Sequence, residues 1–110
     1  TVTAVDLKTG IPDPYDFFAE EDIAVLIDNE DSIYYQVKNY DEAKYTAYLE
    51  ACKESGYTDV TCEIKTEESE LYYAYDENHQ YYLQYGFGGE KKFIDIICDA
   101  VKEEEAGDNA

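Results

Sequence analysis

The chain reads as an α+β domain in which one α-helix packs on an antiparallel sheet of about five strands. Three observations predict this. One apolar stripe at helical spacing occupies residues 40–55, and apolar residues alternate at period two on both sides of it. Short segments rich in Asp, Asn, Ser and Gly separate the alternating runs and are brief enough to close hairpins. A length of 110 residues with 45% hydrophobic content is enough for one core and no more. The expected organisation is an extended lead-in over 1–22, a single α+β domain over 23–101, and an acidic disordered tail over 102–110.

In the lead-in, Thr9-Gly10-Ile11-Pro12-Asp13-Pro14 holds two prolines that fix their own φ and disfavour a helix just before each of them. The run Ile23 to Ile27, the polar stretch Asp28-Asn29-Glu30-Asp31-Ser32, and Ile33 to Lys38 with Ile33, Tyr35 and Val37 alternating predict a hairpin. The acidic turn resembles a calcium loop in composition only. It has no glycine at the sixth position, and Asn39 stands where the bidentate glutamate belongs.

The helix is expected from about Tyr40 to Ser55. Asn39 is the expected cap, Glu42 completes a capping box, Lys53 stands in the last turn and Gly56 provides the stop. Tyr45, Tyr48, Leu49 and Cys52 form one stripe, leaving Glu42, Lys44, Glu50 and Glu54 in water. Beyond Gly56, Val60, Cys62 and Ile64 alternate with Thr61, Glu63 and Lys65. Leu71 to Asp76, then Tyr81, Leu83, Tyr85 and Phe87, then Ile94, Ile96 and Cys98 continue the period of two. These runs predict three or four further strands, read as a three-stranded meander. The tail Lys-Glu-Glu-Glu-Ala-Gly-Asp-Asn-Ala has too little apolar content to order itself.

A formal net charge of −19, from 27 acids against 8 lysines, argues against a phosphate-binding surface, so no nucleic-acid partner is expected. It also disfavours anionic membrane surfaces and is the kind of charge that keeps a chain soluble and monomeric. No segment is long and apolar enough to span a bilayer and no leader is present. The chain starts at Thr1 rather than Met, so an upstream segment is expected. Cys52, Cys62 and Cys98 leave at least one thiol unpaired within the chain and match no metal motif. Cys52 fits as a small hydrophobe of the helix stripe.

His79, the single histidine, stands in a hairpin turn without a recognisable catalytic partner. Carboxylate pairs are too abundant to single any out for a small hydrolase. Phe87-Gly88-Gly89-Glu90 lacks the strand–glycine–helix context of a phosphate loop. No catalytic residue, metal or cofactor is expected.

The remaining candidate is a set of side chains on the sheet face turned away from the helix. If Ile33, Tyr35, Val37 and Leu83 point inward, Tyr34, Gln36, Tyr82 and Gln84 point outward, with one of Tyr72 or Tyr73 beside them; Tyr73 is the expected member. Exposed rings and amides on a flat sheet suit sugars, peptides or protein partners. The other tyrosines divide between the helix stripe (Tyr45, Tyr48), the inner sheet face (Tyr35, Tyr81, Tyr85) and the helix ends (Tyr40, Tyr57). Tyr15 and Tyr75 are left unassigned.

Ile11-Pro12-Asp13-Pro14, Asn39-Tyr40-Asp41, the helix ending Cys52-Lys53-Glu54-Ser55-Gly56-Tyr57, Tyr73-Ala74-Tyr75-Asp76-Glu77-Asn78 and Tyr82-Leu83-Gln84-Tyr85 together form a further pattern. Over roughly residues 9 to 100 it resembles a family of small domains of unknown function in secreted lipoproteins of Gram-positive, often gut-dwelling, bacteria. The resemblance implies export, with a lipidated cysteine upstream of Thr1 as the tether to the membrane's outer face. The expected function is that of a non-enzymatic, surface-anchored extracellular domain that binds a protein or glycan through Tyr34, Gln36, Tyr73, Tyr82 and Gln84. The alternative is an acidic inhibitor or nucleic-acid mimic that occupies a basic partner's site.

Overall fold

The computed structural model describes residues 10–28, 32–89 and 92–101. The tail, residues 1–9 and the centre of the Asp28–Ser32 turn lie outside them. Among the described residues six strands and one α-helix follow in the order β1 (Ile23–Asp28), β2 (Ser32–Val37), α1 (Glu42–Glu54), β3 (Asp59–Lys65), β4 (Glu70–Tyr75), β5 (Tyr81–Gly88) and β6 (Phe93–Ala100). They form one antiparallel sheet ordered β1-β2-β6-β5-β4-β3.

The class is α+β as expected, but the sheet has six strands rather than about five, because all four runs after the helix pair as a four-stranded meander. The last strand, β6, docks against β2 and so joins the meander to the first hairpin. The chain must then travel from β2, near one edge, to β3, at the other. A helix of 13 residues is about 20 Å long, close to the span of that crossing. The connection therefore lays α1 across one face of the sheet.

That face is the core. Ile33, Tyr35 and Val37 of β2, Tyr72 and Ala74 of β4, Leu83, Tyr85 and Phe87 of β5, and Ile94, Ile96 and Cys98 of β6 are buried beneath Tyr45, Tyr48 and Cys52 of the helix. A tyrosine core must satisfy its hydroxyls. Tyr48 donates to the Pro12 carbonyl at 2.6 Å, Tyr72 to the Tyr57 carbonyl at 2.6 Å, and Tyr85 to the Tyr45 carbonyl at 2.8 Å. The Tyr57 hydroxyl lies 3.4 Å from Cys98 Sγ. Tyrosine thus serves this core as a large hydrophobe that also ties helix and loop backbone to the sheet.

Three local expectations are corrected. The lead-in is not simply extended: single-turn 3₁₀ helices occupy Pro14–Asp16 and Glu20–Asp22, and Ile11, Pro14 and Phe18 are buried. Asp13 caps the first of these through Tyr15 N–H. The helix cap is Asp41, whose carboxylate accepts from Lys44 N–H at 3.1 Å. Asn39 instead takes a left-handed φ of 62° and donates its amide to Asp22 at 2.7 Å, while Lys38 N–H binds the Asp22 carbonyl. Asn39 is spent on the turn that ends β2, so the helix starts two residues later and the Asn39–Glu42 capping box does not form. Third, a bulge between Val60 and Cys62 breaks the alternation of β3. Val60 pairs with buried Ala74 on the helix side, whereas Cys62 and Ile64 pair with Tyr73 and Leu71 on the other face. The expected stop does hold, with Gly56 at φ 108° just after Ser55.

Candidate functional site

Among the described residues no helix covers the second face of the sheet. Cross-strand register defines its rows, since directly paired residues point the same way. One row runs Ile27, Tyr34, Ile97, Gln84, Tyr73, Cys62 from edge to edge. A second runs Ser32, Asp99, Tyr82, Tyr75, Asp59, and a third Gln36, Asp95, Gly86, Leu71, Ile64. Tyr34, Gln36, Tyr73, Tyr82 and Gln84 therefore all share this face, as period two predicts, and Tyr72 is the tyrosine that points into the core.

The structure does not bring the five together as one patch. β6 separates the β2 pair from the rest, and its Asp95 organises the middle. Tyr34 donates to Asp95 Oδ1 at 3.1 Å and Gln36 to the same oxygen at 3.3 Å. Partial burial, then the Asp95 charge, raises the Tyr34 pKa, so its proton is held for this bond. Next to Asp95 the register sets Gly86, which has no side chain. A trough of about 300 Å³ results, bordered by Tyr73, Gln84, Leu71, Asp95 and Ile97 and floored by Gly86 and Gly88. Gly86 is required there, because a Cβ would stand 2.2 Å from the Glu70 carbonyl oxygen.

Tyr82 belongs to a separate cluster. Its hydroxyl lies 2.8 Å from Thr61 Oγ1, and its ring meets Tyr75 at 4.6 Å and the edge of Tyr73 at 6.2 Å. Tyr75 stacks on His79 at 4.6 Å, and His79 Nε2 bonds the Asp59 carboxylate. His79 thus has a carboxylate partner that its sequence neighbourhood did not reveal; strand register brings Asp59, 20 residues away, beside it. The pair is exposed and closes the β4–β5 turn onto β3, with His79 at φ 55°. Among the described residues no three His, Cys, Asp or Glu side chains converge as metal ligands would, and no helix is long and apolar enough to cross a membrane.

Asp95, Ile97, Leu71 and the two glycines were not among the site residues expected from sequence. Their signal was present: Asp95 and Ile97 alternate with the buried Ile94, Ile96 and Cys98, and Gly86 and Gly88 are two apart. No family model matches the chain, and neither curated proteins nor solved structures give a match.

Proposed function

We propose that the chain is a non-enzymatic binding module of the cell exterior, tethered as a lipoprotein domain, that holds a neutral or amino-bearing glycan in the trough of its open sheet face. The observation that carries the reading is the trough itself. A ring wall from Tyr73, an amide from Gln84 and a carboxylate from Asp95 surround a side-chain-free floor. A pyranose has apolar C–H faces for an aromatic wall and hydroxyls at its rim for amide and carboxylate partners. The volume lies at the small end of ligand sites, which favours one or two sugar units. Asp95, its Oδ1 engaged by Tyr34 and Gln36, is oriented before any ligand arrives, and preorganisation lowers the cost of binding. A net charge of −19 disfavours acidic or sulfated sugars. Export and lipid anchoring are supported by the resemblance of residues 9 to 100 to domains of secreted lipoproteins.

The test is a titration of the isotope-labelled chain with N-acetylglucosamine, glucosamine, glucose, galactose, mannose and their disaccharides, followed by amide chemical shifts. Shifts centred on Tyr73, Gln84, Gly86 and Asp95, lost in Tyr73→Ala and Asp95→Asn, support the reading. No shift across the panel, or shifts away from these residues, sinks it. The net charge favours a second reading, an acidic inhibitor of a basic protein. Its complex would release sharply between low and moderate salt, where sugar binding would barely respond.

A further inference from the structure

The two edge strands of the sheet, β1 and β3, differ in a way that the trough does not explain. β3, at one edge, carries Asp59, Glu63 and Lys65, the kind of charge that discourages strand addition. β1, at the other, has no charged residue from Ile23 to Ile27. Val25, Leu26 and Ile27 are 44%, 52% and 41% exposed. Alternate N–H and C=O groups of an edge strand point away from the sheet, so this apolar run also offers backbone hydrogen bonds. A bulge between Val25 and Ile27 sends Val25 to the helix-side face and Ile27 to the open face, so an added strand finds an apolar neighbour on whichever face carries its own apolar side chains.

Charge decides what could lie there. Glu20, Glu21 and Asp22 precede the run and Asp28 closes it. Two copies pairing β1 with β1 would bring acid against acid at both ends in either strand direction. Like charges directly opposite one another oppose pairing. A segment with cations at both ends meets the opposite situation. At the start of β1 a hollow of about 150 Å³ joins Ala24 and Phe93 to Glu21, with Gln36 and Lys38 on its rim. Such a hollow suits the aliphatic stem of a lysine whose ammonium reaches a carboxylate.

We propose that the β1 edge takes up, by strand addition, an extended segment of another protein with roughly five residues of alternating apolar character and Lys or Arg at both ends. The probe is the capped peptide Lys-Lys-Val-Thr-Val-Thr-Val-Lys-Lys, added to the isotope-labelled chain. The β1 amides that point away from β2 should exchange at least about tenfold more slowly with the peptide bound. Peptides with Glu at the four flanking positions, or Pro in place of the central Val, should bind at least about tenfold more weakly. Ile27→Lys should weaken binding similarly while amide protection in β5 and β6 stays at the wild-type level, showing that the fold is intact. Equal binding of the acid-flanked peptide would overturn the proposal. So would protection, in the free chain, of the β1 amides that point away from β2, or a dimer in sedimentation.

Discussion

The rings of Tyr45 and Tyr85 lie 4.7 Å apart and 11° from parallel, and the Tyr85 hydroxyl donates to the Tyr45 backbone carbonyl at 2.8 Å. One side chain of β5 thus holds the helix twice, by its face through stacking and by its tip through a hydrogen bond to the helix backbone. Both contacts are buried, and they fix where α1 lies along the sheet as well as that it lies there.

Tyr85→Phe isolates the second contact. It keeps the stack and removes one buried hydrogen bond, so it should cost about 1 kcal/mol. Tyr85→Ala removes the ring as well and should cost about 3–5 kcal/mol through lost burial and a cavity. Urea denaturation of both variants measures this. Equal losses would mean that the hydroxyl, rather than the ring, carries the contact.

Gly86 should be the least replaceable glycine among those described. The atoms that a Cβ would meet include the Glu70 carbonyl oxygen at 2.2 Å and Leu71 Cα at 2.8 Å, which cannot rotate away. Gly86→Ala must part β4 from β5 and should cost at least about 2 kcal/mol. At Gly88 the nearest atom is Ser69 Oγ at 3.3 Å, the end of a small side chain. Gly88→Ala should stay within about 1 kcal/mol of the wild type. Melting temperatures of the two variants decide it, and equal behaviour would refute the argument from backbone contact.

What sequence could and could not disclose follows from where each residue sits. Ile33, Tyr35 and Val37, Leu83, Tyr85 and Phe87, and Ile94, Ile96 and Cys98 were readable because central strands with one buried face keep period two strictly. β3 was harder because an edge strand tolerates a bulge and half-exposed Val60 and Ile64, which blurs the alternation. Asn39 and Asp41 are equally good caps by type. Only the contacts of Asn39 with Asp22 chose between them, and those join residues 17 apart. The outward set of Tyr34, Gln36, Tyr73, Tyr82 and Gln84 followed from the same alternation. The trough did not, since it depends on the register of Gly86 between Leu71 and Asp95 on neighbouring strands.

The three cysteines are unpaired and differently placed, with Cys52 and Cys98 buried and Cys62 half-buried on edge strand β3. Burial raises the Cys52 and Cys98 thiol pKa values, that of Cys98 to about 12, so neither forms the thiolate that reacts. An aromatic disulfide reagent at neutral pH should therefore label one thiol in the native chain and three in denaturant. Cys62→Ser should abolish the native phase. Two or more thiols reacting at similar native rates would contradict this placement.

Alkaline pH should unfold the chain cooperatively. Burial raises the pKa of Tyr45, Tyr48, Tyr57 and Tyr85 above the usual value near 10, and neighbouring thiols and phenols add to it. Cys52 and Cys98 are raised by burial as well. In the unfolded chain these groups lose their protons near ordinary values, whereas the folded chain keeps them. Above about pH 9 the unfolded state therefore binds fewer protons, and stability must fall as pH rises. Their contribution is fully present below that point. Beyond it, each such group can remove up to ~1.4 kcal/mol per pH unit until the folded form ionises too. Tyrosinate absorbance from the buried rings should then appear together with the loss of circular dichroism, not before it. Tyr85→Phe, although less stable at pH 7, deletes one of the opposing protons and should show a shallower alkaline loss than the wild type. Smooth ionisation of all thirteen tyrosines under an unchanged dichroism spectrum would rule this account out.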